Sequence, residues 1–335
     1  MSETAVNEIW HKLKSLHGRF APWISLALGI LARALSNRGV DFAPKAVAIL
    51  ALAWLFPIAV ARWLRLPPEG ASESKLHQFL RTVSPVFTVA LYKNVLFFLV
   101  PIWFGSAHIG SINIAMPLVL AGMALLTCFA RQYQEAVLSQ PRVRVLWTAV
   151  ILFAALVPAC AVALFTSPRA SIVISALLSS AVAWVALAPS ESLFSRQGLL
   201  SLAQISLPAA LLLGLAAPLF PPVPIVCHDQ GAGTGIANRE LLGRAKLFPR
   251  GTARVYVWFA VTLPKRSHQQ VAFQWYHEGV PVGGPLHVTV VGGRKEGFRT
   301  STNLPNPAIG SWRVDLLTDK SSQLIGRTSF EVDSS

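Results

Sequence analysis

Apolar residues fill the first two thirds of the chain in long uninterrupted runs. Near Pro224 they give way to alternation with polar residues. No Lys, Arg, Asp or Glu occurs in Asn94–Ala130, Val145–Pro168, Ala170–Ser190 or Gln197–His228. A helix needs roughly 18 or more such residues to cross a hydrocarbon layer about 30 Å thick. The pattern predicts an N-terminal α-helical transmembrane bundle of about seven spans. They fall near Phe20–Ser36, Pro44–Trp63, Val86–Ser106, Ile114–Arg131, Val145–Phe165, Ala170–Pro189 and Leu199–Phe220. The first is short and carries Arg33. Lys12, Lys14 and Arg19 ahead of Trp23–Leu31, with Ala32 and Ala34 behind, also fit a signal peptide. Leu76–Val83, which mixes apolar residues with His77 and Arg81, reads as an interfacial amphipathic stretch or a linker.

After Pro221-Pro222-Val223-Pro224 the period becomes two. Val255, Val257, Phe259, Val261 and Leu263 alternate with Arg254, Tyr256, Trp258, Ala260 and Thr262. Val271, Phe273 and Trp275 alternate with Ala272, Gln274 and Tyr276. Further sets are Leu286, Val288 and Val290, then Trp312, Val314 and Leu316, then Thr328, Phe330 and Val332. An earlier strand is expected within Arg239–Leu247. Glu278-Gly279, Gly292-Gly293 and Asn306-Pro307 supply turn chemistry between sets. Six or seven short antiparallel strands predict a C-terminal all-β immunoglobulin-like sandwich over residues 226–335, after a membrane domain over 1–225. Trp275 and Trp312 are the expected core bulk.

Composition agrees with this division: 53% of residues are hydrophobic and 13% charged, with a mean hydropathy of +0.52. The net charge of +14 is spread over loops rather than gathered in a basic block, so no nucleic-acid partner is expected. Lys12, Lys14, Arg19, Arg62, Arg65, Lys75, Arg81, Arg131, Arg142, Arg144 and Arg196 fall in one set of alternate loops, against Arg38, Lys45 and Arg169 in the other. The cation bias puts the N-terminus in the cytoplasm and the tail outside. The expected location is therefore a membrane with the C-terminal domain on its non-cytoplasmic side; for a bacterial chain these are the inner membrane and the periplasm.

The residues Gln274-Trp275-Tyr276-His277-Glu278-Gly279, then Gly297-Phe298-Arg299-Thr300-Ser301, then Gly310-Ser311-Trp312-Arg313-Val314-Asp315, ending Phe330-Glu331-Val332, resemble the bacterial domain of unknown function 2914. The likeness covers roughly Ile236–Val332. That family's His two positions before the first Trp is Phe273 here. The resemblance implies a fold and a position after a multi-span region, and no activity.

Candidate chemistry is sparse. Cys128, Cys160 and Cys227 show neither disulfide nor zinc spacing. Gly231–Gly235 lacks the lysine of a phosphate loop. His228-Asp229 reads as chance adjacency in a linker, and His277 with His287 make a weak metal pair. Lys93 lies early in its span, where snorkelling suits it. No cofactor, metal or catalytic residue is expected. The sharper expectation is recognition. If the strands bearing them pair, Tyr256, Trp258 and Tyr276 gather on one outward face, with His277 and Arg299 at its edge. Such a face suits an envelope protein, a peptide or a glycan. Against it stands packing of these aromatics under a loop or at the membrane interface. The alternative for the whole chain is a transporter or channel with an accessory periplasmic domain.

Overall fold

The computed structural model describes residues 92–188, 195–294 and 296–333. The expected spans Phe20–Ser36 and Pro44–Trp63, and the stretch Leu76–Val83, lie outside the described residues. Six helices come first: α1 at 92–106, α2 (Ala115–Leu126), α3 (Ala130–Tyr133), α4 (Pro141–Ala163), α5 (Pro168–Leu187) and α6 (Arg196–Leu215). The starts of the three long helices are written in the sequence. Pro141 and Pro168 open α4 and α5, where a missing N–H is harmless. Ser167 and Ser195 cap α5 and α6 by accepting from the amides of Ala170 and Gly198.

Among the described residues, α4, α5 and α6 are long and apolar enough to cross a membrane. At about 1.5 Å per residue they run about 30–35 Å. The expected span Ile114–Arg131 is not one helix. It begins with a 3-10 turn at Ile112–Ile114, and α2 has only 12 residues, about 18 Å. At its end the Thr127 hydroxyl donates back to the Ala124 carbonyl (2.6 Å), and the chain turns.

The helices pack through small residues. Ser171, Ser175 and Ser179 lie one turn apart on the buried side of α5, and Ser175 Oγ meets Cys160 Sγ of α4 at 3.9 Å. Gly214 of α6 sits so close to Val173 that an added Cβ would come within 2.9 Å of its methyl group. α1 is tied to α4 by Trp103 Nε1 donating to the Ala154 carbonyl (3.0 Å) and by Tyr92 with Thr148 (2.7 Å). α6 is inside out by the standard of a water-soluble helix. It buries Gly198, Ser206, Ala210 and Gly214, while Leu207, Leu211, Leu212 and Leu215 are 61–68% exposed.

Ten strands follow: β1 (Val226–Gly233), β2 (Gly235–Ala237), β3 (Glu240–Leu242), β4 (Leu247–Phe248), β5 (Arg254–Thr262), β6 (His268–His277), β7 (Val280–Val291), β8 (Phe298–Pro305), β9 (Gly310–Thr318) and β10 (Leu324–Val332). One sheet has the order β1-β5-β8, a second β4-β10-β9-β6-β7, and β2-β3 form a hairpin. All pairings are antiparallel except β4 with β10. The alternating apolar sets point where expected. Val255, Val257, Phe259 and Val261 of the first sheet share one core with Val271, Phe273, Trp275, Val314, Leu316 and Phe330 of the second. Phe259 and Phe273 meet between the sheets with centroids 5.9 Å apart. Trp312 stacks on Phe330 and meets Trp275 edge-on at 6.2 Å. Glu278 and Gly279, both at positive φ, close the tight turn between β6 and β7.

The β-region sits against the helices through two fully buried amides. Asn113 donates to the Leu324 carbonyl (3.2 Å) and accepts from the His108 amide (3.1 Å). Gln323 donates to the Phe220 carbonyl (3.1 Å) and accepts from Ser321. Buried amides with their partners met fix geometry, because any slip strands a polar group.

Candidate functional site

The strands that carry the expected recognition face do not pair. Tyr256 and Trp258 lie on β5 in the three-stranded sheet, whereas Tyr276 and His277 lie on β6 in the five-stranded one. The link between β5 and β6 crosses from one sheet to the other instead of folding back as a hairpin. The outward residues of the two strands therefore face opposite sides, and the expected single platform becomes two separate surfaces.

On the first surface, Trp258 and Tyr256 stand opposite Gly231 and Gly233 of β1. The glycines leave room for the rings and for the β2-β3 hairpin. A Cβ on Gly233 would lie 2.9 Å from Leu241, and one on Gly231 3.1 Å from it. Trp258 is buried, and its Nε1 donates to the Arg239 carbonyl in the hairpin turn (2.8 Å). This ring is a packing residue under a loop. Tyr256 is half-buried beside it. Arg299, opposite Ala260, pairs with Glu240 (2.7 Å) and Glu296 (3.0 Å). With Arg239 and Arg294 it lines a cavity of about 250 Å³. At the neighbouring strand, Asp229 and Arg244 form a two-pronged pair (2.9 and 2.7 Å), and that guanidinium holds the Asp229 carboxyl below its ordinary value.

On the second surface, the Arg313 guanidinium lies over the Tyr276 ring, 4.0 Å from its centroid. Arg313 Nε stands 3.5 Å from Asp315 Oδ1 without a hydrogen bond, an electrostatic neighbour only. Asp315 itself, 5% exposed, is gripped by Arg327 through both oxygens (2.6 and 2.7 Å). Its carboxylate raises the pKa of Arg327. His108, from the loop after α1, lies within electrostatic reach of this pair. Burial first, and the Arg327 charge second, lower its pKa. Sequence reading did not single out Asp315. Its only signal is an acid at the outward position of an alternating strand, with its partner 12 residues on.

His277 stacks on Trp312 (4.4 Å) and its Nε2 meets the Ile309 carbonyl (3.0 Å). His287, opposite Ala272, pairs with Asp319 (2.7 Å), so the two imidazoles do not converge. His228-Asp229 belongs to β1 rather than a linker. Burial pushes the Cys227 thiol up to about 12, so it behaves as a small apolar group. Among the described residues, no group of three or more His, Cys, Asp or Glu is placed to hold a metal.

Of the terminal strands β1, β4, β7 and β8, β7 presents the longest edge. β7 ends its sheet, and Val282, Leu286, Val288 and Val290 share the inward side with Trp275, Phe273 and Val271. Five strands face three, so cover runs out along β7. Val290 is fully buried, whereas Leu286 is 51% and Val280 63% exposed. Gly283, Gly284 and Pro285 bulge between the two halves, where the register with β6 shifts.

No curated protein matches the chain. Residues 268–332, from the start of β6 to the end of β10, match the model of a family described as a protein of unknown function, DUF2914.

Proposed function

We propose that the chain is an integral protein of the bacterial inner membrane, N-terminus cytoplasmic, whose bundle of about seven spans holds an immunoglobulin-like sandwich in the periplasm. Its role is non-enzymatic: a tethered binding or scaffolding module of the cell envelope. The observation that carries the reading is the inverted surface of α6, with four leucines outward and Gly, Ala and Ser inward. Lipid satisfies such a surface and water does not. Two features support the orientation. The loop with His108 and Asn113, the turn at Phe165–Ser167 and the β-region meet at one end of the helices. Arg142, Arg144 and Arg196 begin α4 and α6 at the other end, which is where cytoplasmic cations belong.

Within this reading, the recognition surface is the open edge of β7. An extended segment of an envelope protein would add as a further strand, its alternate apolar side chains covering Val280, Val282 and Leu286. The docked amides Asn113 and Gln323 hold that edge at a fixed attitude to the bilayer. A photo-crosslinking residue at Val282 or Leu286 in living cells should capture one and the same partner, and at Ser301, exposed on the other sheet, it should not. Equal capture from all three positions, or none from β7, would sink the assignment.

A further inference from the structure

A cavity of about 410 Å³ opens where the α4–α5 turn meets the β-region. Its helix side carries Ala161, Phe165 and Pro168 beside the hydroxyls of Thr166 and Ser167. Its sheet side begins with Leu263 and ends in His268 and Lys320. Apolar side chains, Ile225 and Leu263 on the sheet side among them, and polar ones line it together, as the two parts of an amphiphile require.

Three observations say which amphiphile. The mouth adjoins the end of α4, where Leu164 and Phe165 are each 58% exposed. Side chains of that size and exposure at the end of a membrane-length helix border the headgroup layer. The β-region end that meets this turn is basic. The β5–β6 turn, whose Pro264 and Ser267 line the cavity, bears Lys265 and Arg266. His268 and Lys320 complete the set. Asp319, next to Lys320 in sequence, turns to His287 at 2.7 Å. Cations held near a membrane surface gather anionic lipid, each contributing about fivefold to affinity. The apolar lining then selects a head that brings an acyl chain over one that is free in solution.

We propose that this cavity holds the anionic phosphodiester headgroup of a membrane phospholipid. The phosphate rests against Lys320 and His268, and the first part of an acyl chain runs past Phe165 and Pro168. A bound lipid would join the α4–α5 turn to the β-region, adding a third tie to those made by Asn113 and Gln323. The inference rests on the membrane reading above, and it holds for either side of the membrane.

The test uses the full chain. Retention in the membrane pellet after a carbonate wash checks the embedding on its own, before any lipid is scored. The protein is then placed in nanodiscs of mixed phosphatidylglycerol and phosphatidylcholine, released, and weighed by native mass spectrometry. One retained phosphatidylglycerol per chain is expected, with little phosphatidylcholine. Lys320→Glu should lower retention about fivefold or more, and Lys320→Arg should keep it. Lys320 is exposed, so its replacement leaves the core intact; a melting curve of each variant confirms the fold. Phe165→Asp, in the apolar lining, should also lower retention. Equal retention of the two lipids overturns the proposal, as does indifference to Lys320→Glu. Displacement of the lipid by millimolar glycerophosphoglycerol would assign the cavity to a soluble phosphodiester and overturn the lipid assignment. A chain that stays in the pellet but holds no phosphatidylglycerol refutes this inference alone, whereas a chain that leaves the pellet refutes the membrane reading.

Discussion

Replacing Asp315 by Leu removes the anion on which two guanidinium groups converge. The carboxylate is 5% exposed, Arg327 bonds it through two short contacts, and Arg313 stands 3.5 Å away. Breaking a buried ion pair from one side costs about 3–5 kcal/mol, because the remaining charge is stranded. Here Arg327 and Arg313 are 27% and 34% exposed and regain part of their hydration, which trims the loss to about 2–3 kcal/mol. For a region of this size each kcal/mol lowers the melting temperature by about 4–8 °C. The variant should therefore melt at least about 8 °C below the parent. Near-ultraviolet circular dichroism of the full chain in detergent reports this transition, because Trp275 and Trp312 pack in the β-region core. The double variant Asp315→Leu with Arg327→Leu leaves only Arg313, which is 34% exposed and lies over the Tyr276 ring, without the carboxylate. This double variant should recover to within about 1 kcal/mol of the parent. A single variant within about 2 °C of the parent refutes the reasoning, as does a double variant as unstable as the two singles summed.

Three further outcomes follow from the same geometry. Gln323→Leu strands the Phe220 carbonyl, while the Pro221 carbonyl keeps the Val223 amide (2.8 Å), and should loosen the β9–β10 turn by about 1–3 kcal/mol, read as faster amide exchange over residues 318–324 with the sheet core unchanged. His108 has a folded pKa lowered by burial and Arg327, so its contribution is whole above the unfolded value of about 6.5. That contribution falls as pH drops through this value and levels off below the folded one; His108→Gln should flatten melting temperature against pH between about 7 and 5. Gly326→Ala puts a Cβ 2.6 Å from Gln230 Oε1 and 3.0 Å from the Phe259 ring, where β1 and β10 pinch together, and should cost about 1–3 kcal/mol by thermal melting.

Alternation along a strand states which side chains share a face, and the structure agrees for Val255 to Val261, Val271 to Trp275 and Trp312 to Leu316. It does not state which strands are neighbours. Tyr256 and Tyr276 were therefore expected together and lie on different sheets, because the short β5–β6 connection changes sheets. β1 has no apolar alternation: its second half is Gly231, Ala232 and Gly233, small so that the β2-β3 hairpin can lie on it. The same hairpin buries Trp258, which in sequence looks as exposed as Tyr256. Asp315 was illegible because its meaning depends on Arg327 across the ladder. In the helices, the opening prolines of α4 and α5 and the capping serines of α5 and α6 are visible in sequence. The break after α2 is not, since a charge-free run gives no sign of a threonine turning its hydroxyl on its own helix.

The side of the membrane on which the β-region lies is the point from which the envelope role follows. Alkaline phosphatase, active only after export, and a fluorescent protein that matures only in the cytoplasm are each fused to the C-terminus of the full chain. The account predicts phosphatase activity and no fluorescence, with both fusions in the membrane pellet. Fluorescence without phosphatase activity would place the β-region in the cytoplasm and contradict it.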